Sequence, residues 1–314
     1  MLIQTSRRLF VTQSCRSTVV CRRFLSGTAT EAPVVSALRG DGILTLTLNR
    51  PEQHNALNLE MWELLLEQLH NISSSSSSSS TNDIRAVVLQ AEGPLFSTGH
   101  DWVELLETAA SDRQQQEHIL RTSSDVVQAL STLPVPSVAA VQGLASGAGA
   151  ALALAADVVV CSPLSQWSGP ATLPQSLLTV QLPDKIGVTR AADMLLDRAV
   201  VAARQALEWG LVTHVTGRPH KHAAELAAQW ASSAPRVVNK TIWNAVQSAN
   251  DRRARYEAAN HEMVQALQNA KVQAAIRQHI DEQLHQEEPS RPVLKQFSEI
   301  PSGAEMYRLP TPGL

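Results

Sequence analysis

Apolar residues alternate with threonine along ILTLTL at 43–48, where Leu44, Leu46 and Leu48 share one side and Thr45 and Thr47 the other. That period of two predicts a strand. With the preceding VVSAL and a tight turn at Gly40 to Gly42, it predicts a β-hairpin. The period then changes. In LEMWELLLEQLHNI, residues Met61, Leu64, Leu65, Leu69 and Ile72 recur at helical spacing, and Asn58 is placed to cap the helix start. Ser73 to Ser80, eight consecutive serines, cannot bury a core and are expected to form a solvated loop before the next strand, IRAVVLQ.

FSTGHD at 96–101 leads into a polar helical region from Asp101 to Leu130. Pro134 and Pro136 break the chain before a strand, SVAAVQG. GLASGAGAALALAAD at 143–157 reads as a small-residue helix, and DVVVC as a buried strand. Alternating strand and helix from 84 to 161 points to an α/β core with right-handed crossovers. From about 183 onward helical patterns dominate, LVTHV at 211–215 being the one late strand, and Pro235 is expected to open a fresh helix. The domain scheme is a leader at 1–30, an α/β core at 31–217, a helical C-terminal region at 218–290 and a tail at 291–314.

The chain has 314 residues, 44% hydrophobic and 18% charged, enough for one sizeable core. Charged residues and glutamines interrupt every apolar run before about 18 residues, so no transmembrane helix is expected. The first thirty residues hold Arg7, Arg8, Arg16, Arg22 and Arg23 and no acid, the make-up of a mitochondrial presequence. A basic tail that binds acidic surfaces is the alternative. Without that segment, 21 basic residues face 29 acidic ones, a net charge of -8, which argues against a nucleic-acid partner. Cys15 and Cys21 leave with the leader. Cys161 stays alone in an apolar run, which supports neither a disulfide framework nor a metal cluster.

Two glycine-flanked turns carry the candidate chemistry. A helix start leaves backbone N–H groups unpaired and partly positive, so it can hold a carbonyl oxygen that gains negative charge. Gly147 and Gly149 allow close approach to such a backbone, and Thr98-Gly99-His100-Asp101 is a second turn between a strand and a helix. Two converging N–H groups make an oxyanion hole, each donor contributing about 3–4 kcal/mol in a transition state. The alternative is that these glycines serve packing alone.

NRPEQHNALN (49–58), FSTGHD (96–101), PVPSVAAVQGLASGAGAALALAADVVV (134–160) and ARQALEWGLVTHV (203–215), taken in order, resemble the enoyl-CoA hydratase/isomerase, or crotonase, superfamily over roughly residues 34 to 290. The resemblance implies a spiral of ββα units with a helical C-terminal region used for homotrimer, or hexamer, contacts. It implies a coenzyme A thioester as ligand, no further cofactor and no metal, and a place in the mitochondrial matrix and in fatty-acid metabolism. Position by position, it puts the oxyanion N–H groups on His100 and Ala148. It puts Ala56, Leu57, Thr98, Gly99, Gly147, Ala151 and Ala171, with the peptide at Asn55, against the ligand. Arg50 and Lys295 are its candidates for the coenzyme A phosphates.

Hydratases of this family use two glutamates, and Ala151 and Ala171 stand at those positions here. One carboxylate must deprotonate water while an acid delivers a proton, each role supplying about 10² to 10⁴ in rate. Losing both corresponds to roughly 5–11 kcal/mol of barrier. His100 is the candidate substitute for acid/base work; Asp101 is expected to cap the next helix, and Ser146, Ser168 and Thr172 lack a paired base. Three readings stay open: a binder of acyl-CoA that does not hydrate it, an enzyme such as a decarboxylase that needs the hole but not the glutamates, and a structural subunit that assembles with active relatives.

Overall fold

The computed structural model describes residues 32–75, 84–169, 176–197 and 200–232, together with Lys240 and single residues between 253 and 280. Strands β1 (Val34–Leu38) and β2 (Ile43–Leu48) pair antiparallel, and the Gly42 N–H closes their turn on the Arg39 carbonyl at 3.0 Å. Helix α1 (Leu59–Ser75) starts where expected, with the Met61 N–H donating to Asn58 Oδ1 at 3.1 Å. It ends later than expected. Ser73 to Ser75 are helical, and the Ser73 hydroxyl donates to the Leu69 carbonyl, one turn back. The rest of the serine run, 76–80, lies outside the described residues.

After β3 (Ala86–Ala91), the single helical region expected from 101 to 130 is two helices, α2 (Trp102–Ser111) and α3 (Arg113–Ser131). Asp112 separates them: its carboxylate accepts from the Gln114 and Gln115 N–H groups and starts a new helix. Next comes β4 (Ser137–Val141). The run expected to be helical from Gly143 opens instead as a strand, β5 (Leu144–Ser146), and only then becomes α4 (Gly147–Leu154). Then follow β6 (Val158–Cys161), β7 (Gln166–Ser168), α5 (Ser176–Ile186), α6 (Val188–Leu196), β8 (Val200–Ala202), α7 (Ala203–Glu208), β9 (His214–Val215) and α8 (Pro219–Ala231). LVTHV is thus a strand over its last two residues only, and β8 is a second late strand that periodicity did not reveal.

The main sheet has the order β1-β2-β3-β4-β6-β9, with every pair after the first hairpin parallel. Alternation sends Leu44, Leu46, Leu48, Val87 and Leu89 into the large core with α1 and α3, and sends Ile43, Ala86, Val88, Val138 and Ala140 to the opposite face. Ala223, Ala227 and Ala231 of α8, four residues apart on one stripe, cover that face; residues this small let a helix lie close on a sheet. A second sheet, β5-β7-β8, carries Trp167 into the large core. Among the described residues no helix is long and apolar enough to cross a membrane.

Strands β3 and β4 are hydrogen-bonded neighbours running the same way. Segments that leave their C-terminal ends therefore emerge side by side, the place where α/β sheets commonly present a site. From β3 the chain runs to FSTGHD. From β4 it runs to β5 and the start of α4.

Candidate functional site

Hydrogen bonds stitch the two emerging segments together. The Ser97 N–H donates to the Leu144 carbonyl at 3.1 Å, and the Ser146 N–H returns to the Ser97 carbonyl at 3.0 Å. Gly99 (φ +99°) then bends toward α4, where a Cβ on it would stand 2.9 Å from the Ser146 carbonyl oxygen and 3.2 Å from the Ala148 nitrogen. Gly149 meets the same segment, since a Cβ there would fall 2.5 Å from the Ser97 side chain. Glycine at both positions is what lets the two turns touch.

The direction of the His100 N–H follows from one neighbouring bond. The Leu57 N–H donates to the Gly99 carbonyl at 2.7 Å, and the Leu57 carbonyl accepts from the Asp101 N–H at 3.0 Å. A trans peptide holds C=O and N–H on opposite sides, and no cis peptide is present among the described residues. Because the Gly99 carbonyl faces Leu57, the N–H of the same peptide, that of His100, faces away from it. Ala148 is the second residue of α4, where an N–H has no partner within the helix. Among the described residues neither N–H has a protein acceptor, although both residues are buried, His100 at 5% and Ala148 at 3% exposure. Buried N–H groups are nearly always paired, so this pair is suited to an oxygen from a ligand. Ala148 has no positive φ, so its Cβ adds no backbone strain at the start of α4.

The His100 side chain does something else. Its ring sits between Trp62 of α1, with centroids 5.6 Å apart and planes at 56°, and Trp102 of α2, at 6.3 Å and 85°. Neither ring nitrogen has a hydrogen-bond partner among the described residues, and burial pushes the imidazole pKa down to about 4. A neutral ring packed between two tryptophans does not serve acid/base work, which corrects the expectation of His100 as a substitute base. Sequence reasoning missed Trp62 altogether. Its helical spacing marks it as core, and nothing in that spacing singles out contact with residue 100.

Other expectations change too. Leu57 is wholly buried in the core and both its backbone groups are spent on the ladder to residues 99–101, so it is a strut rather than a ligand contact. Arg50 is partly engaged within the protein: its Nη1 donates to the Ala56 carbonyl at 2.7 Å and to Asp101 Oδ2 at 3.1 Å. Asn55 (φ +53°) holds the same loop, accepting from the Arg50 N–H and donating to the Glu92 and Leu95 carbonyls. Ala56 and Thr98 are half-buried, with the Thr98 N–H on the His54 carbonyl. Asp101 caps α2 as expected, on the Glu104 N–H.

Ser168 Oγ donates to Ser146 Oγ at 3.0 Å, with no base attached. Gly147 (φ +52°) opens α4, and Ala151 is completely buried one turn further on. Ala171, Thr172 and Lys295 lie outside the described residues. Cys161 is buried and its thiol is pushed up to about 12 by desolvation. Among the described residues no three His, Cys, Asp or Glu are placed to hold a metal ion. A cleft of about 350 Å³ between α3 and the C-terminal residues Arg253 to Val264 shares no residue with this site. The C-terminal region is tied to the core by Lys240, whose ammonium pairs with Asp157 and reaches the Ser131 carbonyl at 3.2 Å.

Comparison with known proteins agrees with this architecture. The chain is 32% identical over 223 residues to "Enoyl-CoA hydratase domain-containing protein 3, mitochondrial" of Rattus norvegicus, covering 68% of this chain and 70% of that one. It is 29% identical to "4-chlorobenzoyl coenzyme A dehalogenase-2" of Arthrobacter sp, covering 69% and 78%. A solved enoyl-CoA hydratase/isomerase from Mycobacterium paratuberculosis superimposes with a TM-score of 0.72 over 80% of this chain and 100% of that one, at 21% identity, and so shares the fold. The enoyl-CoA hydratase/isomerase family model matches residues 38–286. The chain belongs to the enoyl-CoA hydratase/isomerase family.

Proposed function

We propose that this protein binds an acyl-CoA thioester, with the thioester oxygen held between the His100 and Ala148 N–H groups, and does not hydrate it. One observation carries the reading: the N–H groups of two buried residues, without protein acceptors among the described residues, on turns that meet at Gly99. The absence of hydration rests on side chains. Ala151 and Ala171 cannot move protons, and the His100 imidazole is enclosed by Trp62 and Trp102. Coenzyme A as ligand follows from family membership, with Ala56 and Thr98 at its nucleotide end. Mitochondrial residence, in the matrix, rests on the arginine-rich leader and on the printed name of the rat relative. A role in fatty-acid metabolism and assembly as a homotrimer or hexamer belong to the same reading.

A thermal-shift panel of straight-chain acyl-CoAs and malonyl-CoA, followed by product analysis on whichever stabilises the protein, tests it. Stabilisation with unchanged thioester is expected. Robust hydration of crotonyl-CoA by the wild type would overturn it. The second reading, an enzyme that uses the hole for other chemistry, has one observation in its favour: a 29% identical relative is named as a dehalogenase of a coenzyme A thioester. Under that reading the same product analysis returns a new acyl product, or CO₂ from a malonyl-type thioester. A structural subunit would show neither stabilisation nor product.

A further inference from the structure

The unexplained feature of the site is the side chain of His100. A histidine 5% exposed, with both ring nitrogens unpartnered, stands beside the equally unpartnered Nε1 of the fully buried Trp62. Leaving such groups unpaired is costly, so as core filler a phenylalanine would serve better. The ring lies against two helices at once, tilted on Trp62 of α1 and edge-on to Trp102 of α2. Its own backbone lies between Gly99, whose φ of +99° is open to glycine, and Asp101, which caps α2. Contact with a ring on each of two helices restricts how far the His100 Cα–Cβ bond can swing. That limits tilting of the adjoining Gly99-His100 peptide, whose carbonyl is held by Leu57 while its N–H has no protein acceptor among the described residues.

We propose that Trp62, His100 and Trp102 form an aromatic bracket that holds the His100 N–H on the thioester oxygen, making the His100 ring a positioning residue for recognition of that oxygen. The proposal rests on the acyl-CoA reading of the site and specifies how one of its two donors is kept in place. Leu57 contributes from the other side of the same peptide, through its bond to the Gly99 carbonyl. The bracket therefore acts on a donor that every variant at residue 100 except proline retains.

Binding of hexanoyl-CoA against S-hexyl-CoA, the thioether that lacks the carbonyl, reads the donor separately from the rest of the ligand. Two neutral hydrogen bonds predict a preference of roughly tenfold for the thioester in the wild type. His100→Ala keeps the N–H and loses the bracket, and the preference should fall to about twofold. His100→Phe, similar in shape, should restore most of it. Trp102→Ala perturbs the bracket from a half-buried position and should lower the ratio in the same direction, which keeps the test available if His100→Ala does not fold.

A ring that only fills the core predicts lower stability in His100→Ala and Trp102→Ala with an unchanged ratio; that result would overturn the bracket and leave the binding site intact. A wild type with no preference for the thioester would overturn the oxyanion reading itself.

Discussion

Replacing Gly99 by alanine tests whether contact between the two turns is what builds the site. At φ +99° an alanine is strained whatever surrounds it, at about 1–3 kcal/mol. The added Cβ also meets the Ser146 carbonyl oxygen at 2.9 Å and the Ala148 nitrogen at 3.2 Å. Both neighbours are backbone held by the Ser97–Ser146 bond, so relief requires the turns to part. Overpacking of this kind costs about 1–3 kcal/mol more. Gly187 supplies the control, because at φ +81° a Cβ there has nothing within 4 Å.

Gly187→Ala should therefore lose only the backbone part, and Gly99→Ala about 2–6 kcal/mol in all. Urea unfolding measures both. Acyl-CoA titration then shows whether Gly99→Ala alone weakens binding, by roughly tenfold if the two donors no longer converge. Equal destabilisation by the two substitutions, with acyl-CoA affinity intact in Gly99→Ala, would refute the reasoning.

Because burial lowers the His100 pKa to about 4, the unfolded chain, titrating near 6.5, binds the extra proton as pH falls. Stability from this group is thus lost progressively below pH 6.5 and fully below pH 4, amounting to about 2 kcal/mol between pH 7 and 5; urea midpoints at the two pH values should show that loss in the wild type and lack it in His100→Phe. Lys240→Met should destabilise by about 2–4 kcal/mol, since it leaves the Asp157 carboxylate without its ammonium partner, and limited proteolysis should report earlier cleavage of the C-terminal region. Ala151→Glu combined with Ala171→Glu should raise crotonyl-CoA hydration by at least about 10² over the wild type, measured by loss of enoyl absorbance; no gain would place the defect outside the missing acids. Cys161, buried with its thiol at about 12, should stay unreactive toward a disulfide reagent until the protein is unfolded.

What the sequence made legible was local. Alternation at Leu44, Leu46 and Leu48 gave β2, Asn58 marked the start of α1, and DVVVC gave β6, because each signal lies within a few residues. Strand β5 was hidden because three residues, Leu144 to Ser146, are too short for periodicity and exist as a strand only by pairing with Gln166 to Ser168. The serines at 73–75 read as loop by composition, yet they continue α1, with the Ser73 hydroxyl turned back to the Leu69 carbonyl.

The site divides in the same way. Glycine and histidine in FSTGHD and the GAG turn were visible as residue types suited to an exposed backbone. The outward direction of the His100 N–H depends on Leu57, 43 positions away, and the inward direction of its ring depends on Trp62 and Trp102. The pairing of Arg50 with Asp101, 51 residues later, was not visible in a lone arginine beside a loop. No spacing rule encodes contacts made by chain crossings at that distance.

The most direct measurement is the carbonyl stretch of hexanoyl-CoA, carbon-13 labelled at the thioester carbonyl, recorded by isotope-edited infrared spectroscopy on the bound complex. Two N–H donors at the oxygen polarise the C=O bond, so the band should move to lower frequency than in buffer and the thioester should be recovered unchanged. A band at or above its frequency in water would contradict an oxyanion hole formed by His100 and Ala148.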